Sequence, residues 1–239
     1  MNCENFKEFF HESWHSKVRP FIESSECDEI YAFLKKESKR GKSIAPLSSN
    51  VYRCFLETPY DELKVVLMGT SPYHTFKGGM PIADGLFMGC SITEQLQPSL
   101  EQFYGGIERD AYDGLSLSMI KDPDVSYLAH QGVLLLNAAL TTEINKAGSH
   151  LTLWEPFIKY LFEHVFDITG VPVVFLGKEV AKYQKYVTPF TWSFAISHPS
   201  SASYKNSEWD SEGTFTAINK ILNDNNNFEI NWLKTNENE

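Results

Sequence analysis

Apolar residues fall along this chain in four compact runs, each rich in branched aliphatic side chains and each closed by a polar residue or a glycine: LKVVLMG (63–69), GVLLLNAAL (132–140), VPVVFLGK (171–178) and TWSFAISHP (191–199). Short continuous apolar runs bounded by turn residues read as strands buried on both faces. Between and around them the spacing becomes helical. Residues 24–39 start on serine and aspartate, place Ile30, Phe33 and Leu34 at helical intervals and end on lysines, which complements the helix dipole. Helices are also predicted over 51–56, after a turn at 46–50, and over 153–166, 180–186 and 212–223. Parallel neighbours need a crossover, and 153–166 is long enough to supply one. The pattern predicts an α/β fold: a central, mostly parallel four-stranded sheet flanked by helices. Residues 1–239 are expected to form one domain with disordered ends, with Phe228, Ile230 and Trp232 pinning a tail that follows NDNNN.

In sheets of this kind the loops beyond the carboxyl ends of the strands converge on one crevice. Here those loops are 69–79, 137–149, 177–178 and 198–207. In the first, Gly69 permits a sharp exit from the strand, Pro72 stiffens the bend, and the backbone N–H groups of Thr70 and Ser71 can point inward. Tyr73 and His74 then offer a flat wall and a polar edge, or else Tyr73 merely packs and His74 faces solvent. Asn137 ends an apolar strand with an amide that both donates and accepts, suited to a base edge, or equally to capping its own turn. His198 also stands at a strand end, where an imidazole N–H can stabilise charge on a leaving group. Ser200 and Ser203 follow in a turn that can donate to phosphate or simply cap itself.

Composition narrows the classes. The 239 residues carry a formal charge of −10, with 42% hydrophobic and 14% aromatic content, as expected of a globular chain with a sizeable core. No apolar run approaches the roughly 20 residues of a membrane span, and MNCENFKEFF has neither the basic start nor the apolar stretch of a secretion signal. A cytoplasmic or nuclear, intracellular monomer is expected. Cys3, Cys27, Cys54 and Cys90 form no CxxC pair, and His11 and His15 lack the neighbours of a metal site, so no structural metal is expected. The acidic balance argues against coating nucleic acid by bulk attraction and leaves room for a local contact patch.

Taken together, the loops resemble those of family 1 uracil-DNA glycosylases, in the same order and at similar spacing from about Trp14 to Trp232. Where the family reads GQDPYH, this chain has Gly69, Thr70, Ser71, Pro72, Tyr73 and His74. The family's LLLN segment is matched by Leu134, Leu135, Leu136 and Asn137, running on to Leu140 and Thr141, and its HPSPLSA loop by residues 198–204. The segment 45–55, the pair Pro98 and Ser99, Gly177 and the late INW also fit. The resemblance implies a pocket for a base flipped from single-stranded or duplex DNA, working without a metal or organic cofactor. In it Asn137 would read the edge of uracil, Tyr73 would exclude a 5-methyl group and His198 would stabilise the departing uracil anion. Ser99, Ser200 and Ser203 would grip phosphates.

The departures bear on the reaction. Ser71 stands where the family has its catalytic aspartate, Ala202 where it has an intercalating leucine, and Thr70 where it has glutamine. The aromatic that stacks on uracil falls near Met88, with Phe87 beside it, and Tyr204, two residues beyond Ala202, is the candidate substitute wedge. The first loop is about four residues longer, through Phe76, Lys77, Gly78 and Gly79. Three readings follow: a divergent glycosylase acting on uracil or a modified pyrimidine, a catalytically impaired homologue that binds DNA or a replication or repair protein, and a different reaction on a nucleobase or nucleotide.

Overall fold

The computed structural model describes residues 5–113, 119–166, 170–189 and 191–235. All four apolar runs form strands: β1 (Val65–Gly69), β2 (Val133–Asn137), β3 (Val173–Leu176) and β4 (Ser193–Ile196). They make one sheet in the order β2-β1-β3-β4. Every pairing in it is parallel, so the mixture allowed by the sequence does not arise within this sheet. Every residue of β1, β2 and β3 is buried, as their unbroken apolar runs require, whereas β4 lies at the edge and is partly open. The run 132–140 stops being strand at Asn137. Beyond it the N–H groups of Ala138 and Ala139 donate to Gly69 O (2.8 Å) and Thr70 O (3.0 Å), zipping the two emerging loops together.

The α-helices of five or more residues among the described residues are α1 (His15–Ile22), α2 (Ser25–Lys39), α3 (Arg53–Glu57), α4 (Pro98–Ala111), α5 (Leu151–His164), α6 (Ser200–Lys205) and α7 (Thr214–Asn226). They flank the sheet in two groups, α1 and α2 packing with α5, and α4 packing with α6 and α7. Ser24 caps α2, its Oγ accepting from the Cys27 N–H. The stretch 180–186 is not one helix: a single turn at Lys178–Ala181 gives way to a 3-10 segment, Lys182–Tyr186. Ile230 and Trp232 are buried and hold the returning tail, while Phe228 is half-buried. His11 and His15 serve the amino-terminal turns, His11 Nδ1 accepting from the Ser13 N–H and His15 Nε2 lying 3.0 Å from Phe10 O.

Helix α4 is absent from the sequence reading because Gly105 and Gly106 interrupt its pattern. The structure gives the second glycine a packing reason: a Cβ on Gly106 would stand 2.4 Å from Trp209 Cε3, whereas one on Gly105 would meet only Arg109 Nη1, at 3.4 Å. Trp209 is itself fixed, with Nε1 donating to Ser197 O at 2.9 Å. Gly105→Ala is therefore expected to stabilise the protein by about 0.5–1 kcal/mol through helix propensity. Gly106→Ala is expected to lower the urea midpoint, overpacking of about 1–3 kcal/mol exceeding the same propensity gain. Urea denaturation of both variants checks the pair, and equal shifts would refute the packing account.

Candidate active site

The first loop is placed by the end of β1. A Cβ on Gly69 would lie 2.0 Å from Phe87 Cε2, so the bare backbone is what lets the ring edge settle there. The loop is then tied to its neighbour: Ser71 Oγ accepts from the Gly148 N–H at 3.1 Å, and His74 O accepts from the Asn145 N–H at 2.7 Å. The Tyr73 hydroxyl lies 2.9 Å from Ser99 Oγ and 3.5 Å from Met88 Sδ. Burial pushes this phenol well above its ordinary value, so it remains protonated.

Asn137 pairs in register with Gly69 at the opening of the sheet. Only 3% of it is exposed, and its Oδ1 has no hydrogen-bond partner. A buried amide oxygen is normally satisfied, and leaving one unpaired costs about 1–3 kcal/mol. The turn-capping alternative does not engage this atom, which is left ready for a donor that the chain does not supply.

His198 follows β4. The Ser200 backbone N–H donates to its Nδ1 at 3.1 Å, and Ser200 Oγ lies 2.8 Å from the same nitrogen. A backbone N–H can only donate, so Nδ1 is the acceptor and the neutral ring carries its proton on Nε2. Burial lowers the imidazole from 6.5 to about 4, which keeps it neutral at physiological pH. Phe87 meets the ring edge-on, with centroids 5.8 Å apart. Gly177 adopts φ 114°, in the left-handed region, and a Cβ there would be 3.3 Å from His198 Cβ and 3.5 Å from Thr70 Oγ1. Thr70, Gly177 and His198 thus close one side of the cleft.

Thr70, Ser71, Tyr73, Phe87, Met88, Asn137 and His198 are brought together at the carboxyl ends of β1, β2 and β4. Of the two candidates for the ring position, Phe87 packs on Gly69 and His198 while Met88 faces Tyr73. The serines are placed less uniformly. Ser99 and Ser200 are engaged with Tyr73 and His198, and Ser203 Oγ is buried without a partner. Ala202 is 4% exposed, so its methyl projects into no partner, whereas Tyr204 is 87% exposed. The longer first loop forms a hairpin, Phe76–Lys77 paired with Met80–Pro81 through Gly78 and Gly79 at φ 60° and 82°. Sequence reasoning passed over Asp84 and Arg53, which no motif marks; they pair at 2.9 Å beneath the segment that carries Phe87 and Met88.

Cys27, Cys54 and Cys90 are buried. Among the described residues there is no group of three or more His, Cys, Asp or Glu placed to hold a metal, and no helix long and apolar enough to cross a membrane. A groove of about 810 Å³ between Arg109, Trp209 and Lys220 shares no residue with this cleft.

The sequence model described as the Uracil DNA glycosylase superfamily matches residues 56–224, which include all four strands and every loop of the cleft. The uracil-DNA glycosylase of Streptococcus pneumoniae (strain Hungary19A-6) is 31% identical over 228 residues, covering 94% of this chain and 99% of that protein. That of Pseudomonas aeruginosa (strain UCBPP-PA14) is 32% identical over 224 residues, covering 92% and 93%. The crystal structure of mimivirus uracil-DNA glycosylase shares the fold, with a TM-score of 0.84 at 22% identity over 96% of this chain and 90% of that one. Sequence match and fold agree, and the chain belongs to the uracil DNA glycosylase superfamily.

Proposed function

We propose that the protein is a divergent family 1 DNA glycosylase that hydrolyses the N-glycosidic bond of uracil, or of a modified pyrimidine, flipped out of DNA. The observation that carries this reading is His198, a half-buried, desolvated neutral imidazole whose Nδ1 is occupied by the Ser200 N–H, which leaves the ring proton on Nε2. As the C1′–N1 bond breaks, its electron pair stays with the base. The Nε2–H donates to the oxygen on which that charge collects, without proton transfer being required. Asn137 Oδ1 accepts from the ring N–H of the base, filling the valence that the chain leaves open. Tyr73, held by Ser99, forms the wall beside the 5-position. Water adds to C1′ and gives up its proton to solvent. Ser99, Ser200 and Ser203 and the exposed ring of Tyr204 would meet the DNA backbone and the bases beside the gap. DNA is the partner that this reading requires.

Ser71 makes the catalysis weak. Its hydroxyl accepts from the Gly148 N–H, and it brings no negative charge opposite the developing positive sugar. A missing charge of this kind costs on the order of several kcal/mol, or thousands-fold in rate. The same observation supports the second reading, a homologue retained for binding DNA or a replication or repair protein.

Incubating excess protein for hours with single-stranded and duplex DNA containing one uracil should release free base, measured by mass spectrometry. His198→Ala and Asn137→Ala should each lose it, and Ser71→Asp should raise it by on the order of a hundredfold. No release from wild type or from Ser71→Asp would give the binding reading the field.

The His198 assignment has its own signature. Ring ¹⁵N spectra should show a neutral Nε2–H form persisting to about pH 4. Because folding lowers this pKa, the unfolded chain binds the extra proton between 6.5 and about 4. The stability linked to His198 is therefore whole above 6.5, declines as the pH falls through that window and is lost below it. Urea unfolding of His198→Gln should show a shallower fall across this range than wild type. Parallel profiles would contradict the desolvated neutral ring.

A further inference from the structure

The segment 84–91 carries Phe87 and Met88, and it is organised around one carboxylate. Asp84 is fully buried. Its Oδ1 accepts from the Leu86 N–H at 3.0 Å, and its Oδ2 accepts from the Ser91 N–H at 3.1 Å and from Ser91 Oγ at 2.7 Å. A Cβ on Gly89 would stand 2.1 Å from Oδ1, so the carboxylate occupies the space that a side chain there would need. Across the ring, Gly85 adopts φ 100°, and a Cβ on it would fall 2.0 Å from Asn50 O. The charge is matched by Arg53 of α3, whose Nη1 reaches Asp84 Oδ2 at 2.9 Å while its Nε donates to Glu57 Oε1 at 3.0 Å.

Two features show that this ring is under constraint. Met88 has φ 66°, a left-handed conformation that costs a residue with a Cβ about 1–2 kcal/mol and persists only where its surroundings impose it. Phe87 donates its N–H to Leu135 O at 2.9 Å, fastening the segment along the open edge of β2. Between them, two adjacent residues point into different parts of the cleft, Phe87 to Gly69 and His198, Met88 to Tyr73.

We propose that Asp84, neutralised by Arg53, is a positioning residue that fixes the base-facing wall by closing 84–91 into a ring that forces Phe87 onto His198 and Met88 onto Tyr73. The assignment rests on the reading of this cleft as a base pocket. It makes the wall, and hence the base that fits against it, depend on a buried ion pair three positions from the Phe87 ring rather than on local packing alone. A buried charge tied to several N–H groups suits that task, because displacing any one donor exposes the carboxylate to an uncompensated environment.

The test uses the full chain with ¹³C-methyl methionine and ¹⁵N-histidine, comparing wild type with Asp84→Asn and Arg53→Lys. Asp84→Asn should move the Met88 methyl resonance while leaving that of Met68, buried in β1, in place. It should also raise the His198 midpoint from about 4 towards 6.5. Removing a nearby negative charge would by itself lower an imidazole pKa, so a rise reads the loss of Phe87 cover and not the lost charge. Arg53→Lys keeps the countercharge without the fork and should show a smaller movement of the same two signals, which also serves if Asp84→Asn fails to fold. Uracil release under single turnover should fall by about ten- to a hundredfold in Asp84→Asn, with affinity for abasic DNA changed less than about twofold. Unmoved Met88 and His198 signals in both folded variants overturn the proposal. Shifted signals in a protein that releases no uracil support the positioning role and sink the glycosylase reading instead.

Discussion

The cleft depends on one close approach, that of the Phe87 ring to the backbone of Gly69. β1 is an inner strand, paired on both sides, and has no freedom to move away. Any side chain at its last residue would occupy the place of the ring. With hydrogen alone at that position, Phe87 settles over the strand end and meets His198 from β4, while β2 brings Asn137 level with Gly69. The last residues of β1 and β2 and the second residue past β4 thus meet at one spot through a ring that belongs to none of these strands. The position of His198 is consequently set by the sheet, and its protonation by the cover that Phe87 helps to provide.

The two loops over the cleft are joined by backbone groups, and this shapes what Ser71 can do. Ala138, Ala139, Asn145 and Gly148 all donate N–H groups to the first loop, three to carbonyls and the last to the Ser71 hydroxyl. A serine here is a fastener as well as a candidate catalyst. An aspartate could accept the same N–H through one oxygen and keep the other, with its charge, for water and sugar. A hydroxyl that accepts one bond retains a single proton to give. On the proposed reading the scaffold has kept its geometry at this point while losing its electrostatic contribution, which is the larger catalytic component in a water-poor site.

What the sequence displays and what it conceals follow from the kind of interaction involved. The four strands were legible because burial on both faces demands unbroken apolar runs, and Asn137 and His198 stood out as polar residues at their ends. Helix α4 was hidden because Gly105 and Gly106 mimic a break, although Gly106 is there to admit Trp209 from a segment a hundred residues away. The part of Asp84 was hidden for a similar reason: an isolated acidic residue has no period, and its partner Arg53 lies on another element. The choice between Phe87 and Met88 could not be made from alignment, since the two share a turn, with Met88 at φ 66°, that sends their side chains to different parts of the cleft. The tautomer of His198 depends on a backbone N–H that no side-chain pattern reports.

The same logic bears on how an acidic protein would meet DNA. With a charge of −10, long-range attraction to phosphates is weak, and affinity has to come from short-range contacts that salt screens little. Two of the three serines expected at phosphates are already bonded to Tyr73 and His198, so a phosphate would engage them only by exchanging those bonds. Such an exchange would link the backbone contact directly to the wall and to the imidazole. Ala202 lies too deep to reach a base stack, and the projecting group on α6 is the Tyr204 ring. A flat ring stacks on unpaired bases more readily than it pries apart a stable duplex, because stacking requires only an accessible base face whereas a wedge must first break pairs. On the proposed reading, the surface chemistry and the missing wedge therefore favour the same substrate form, a strand whose uracil is already unpaired.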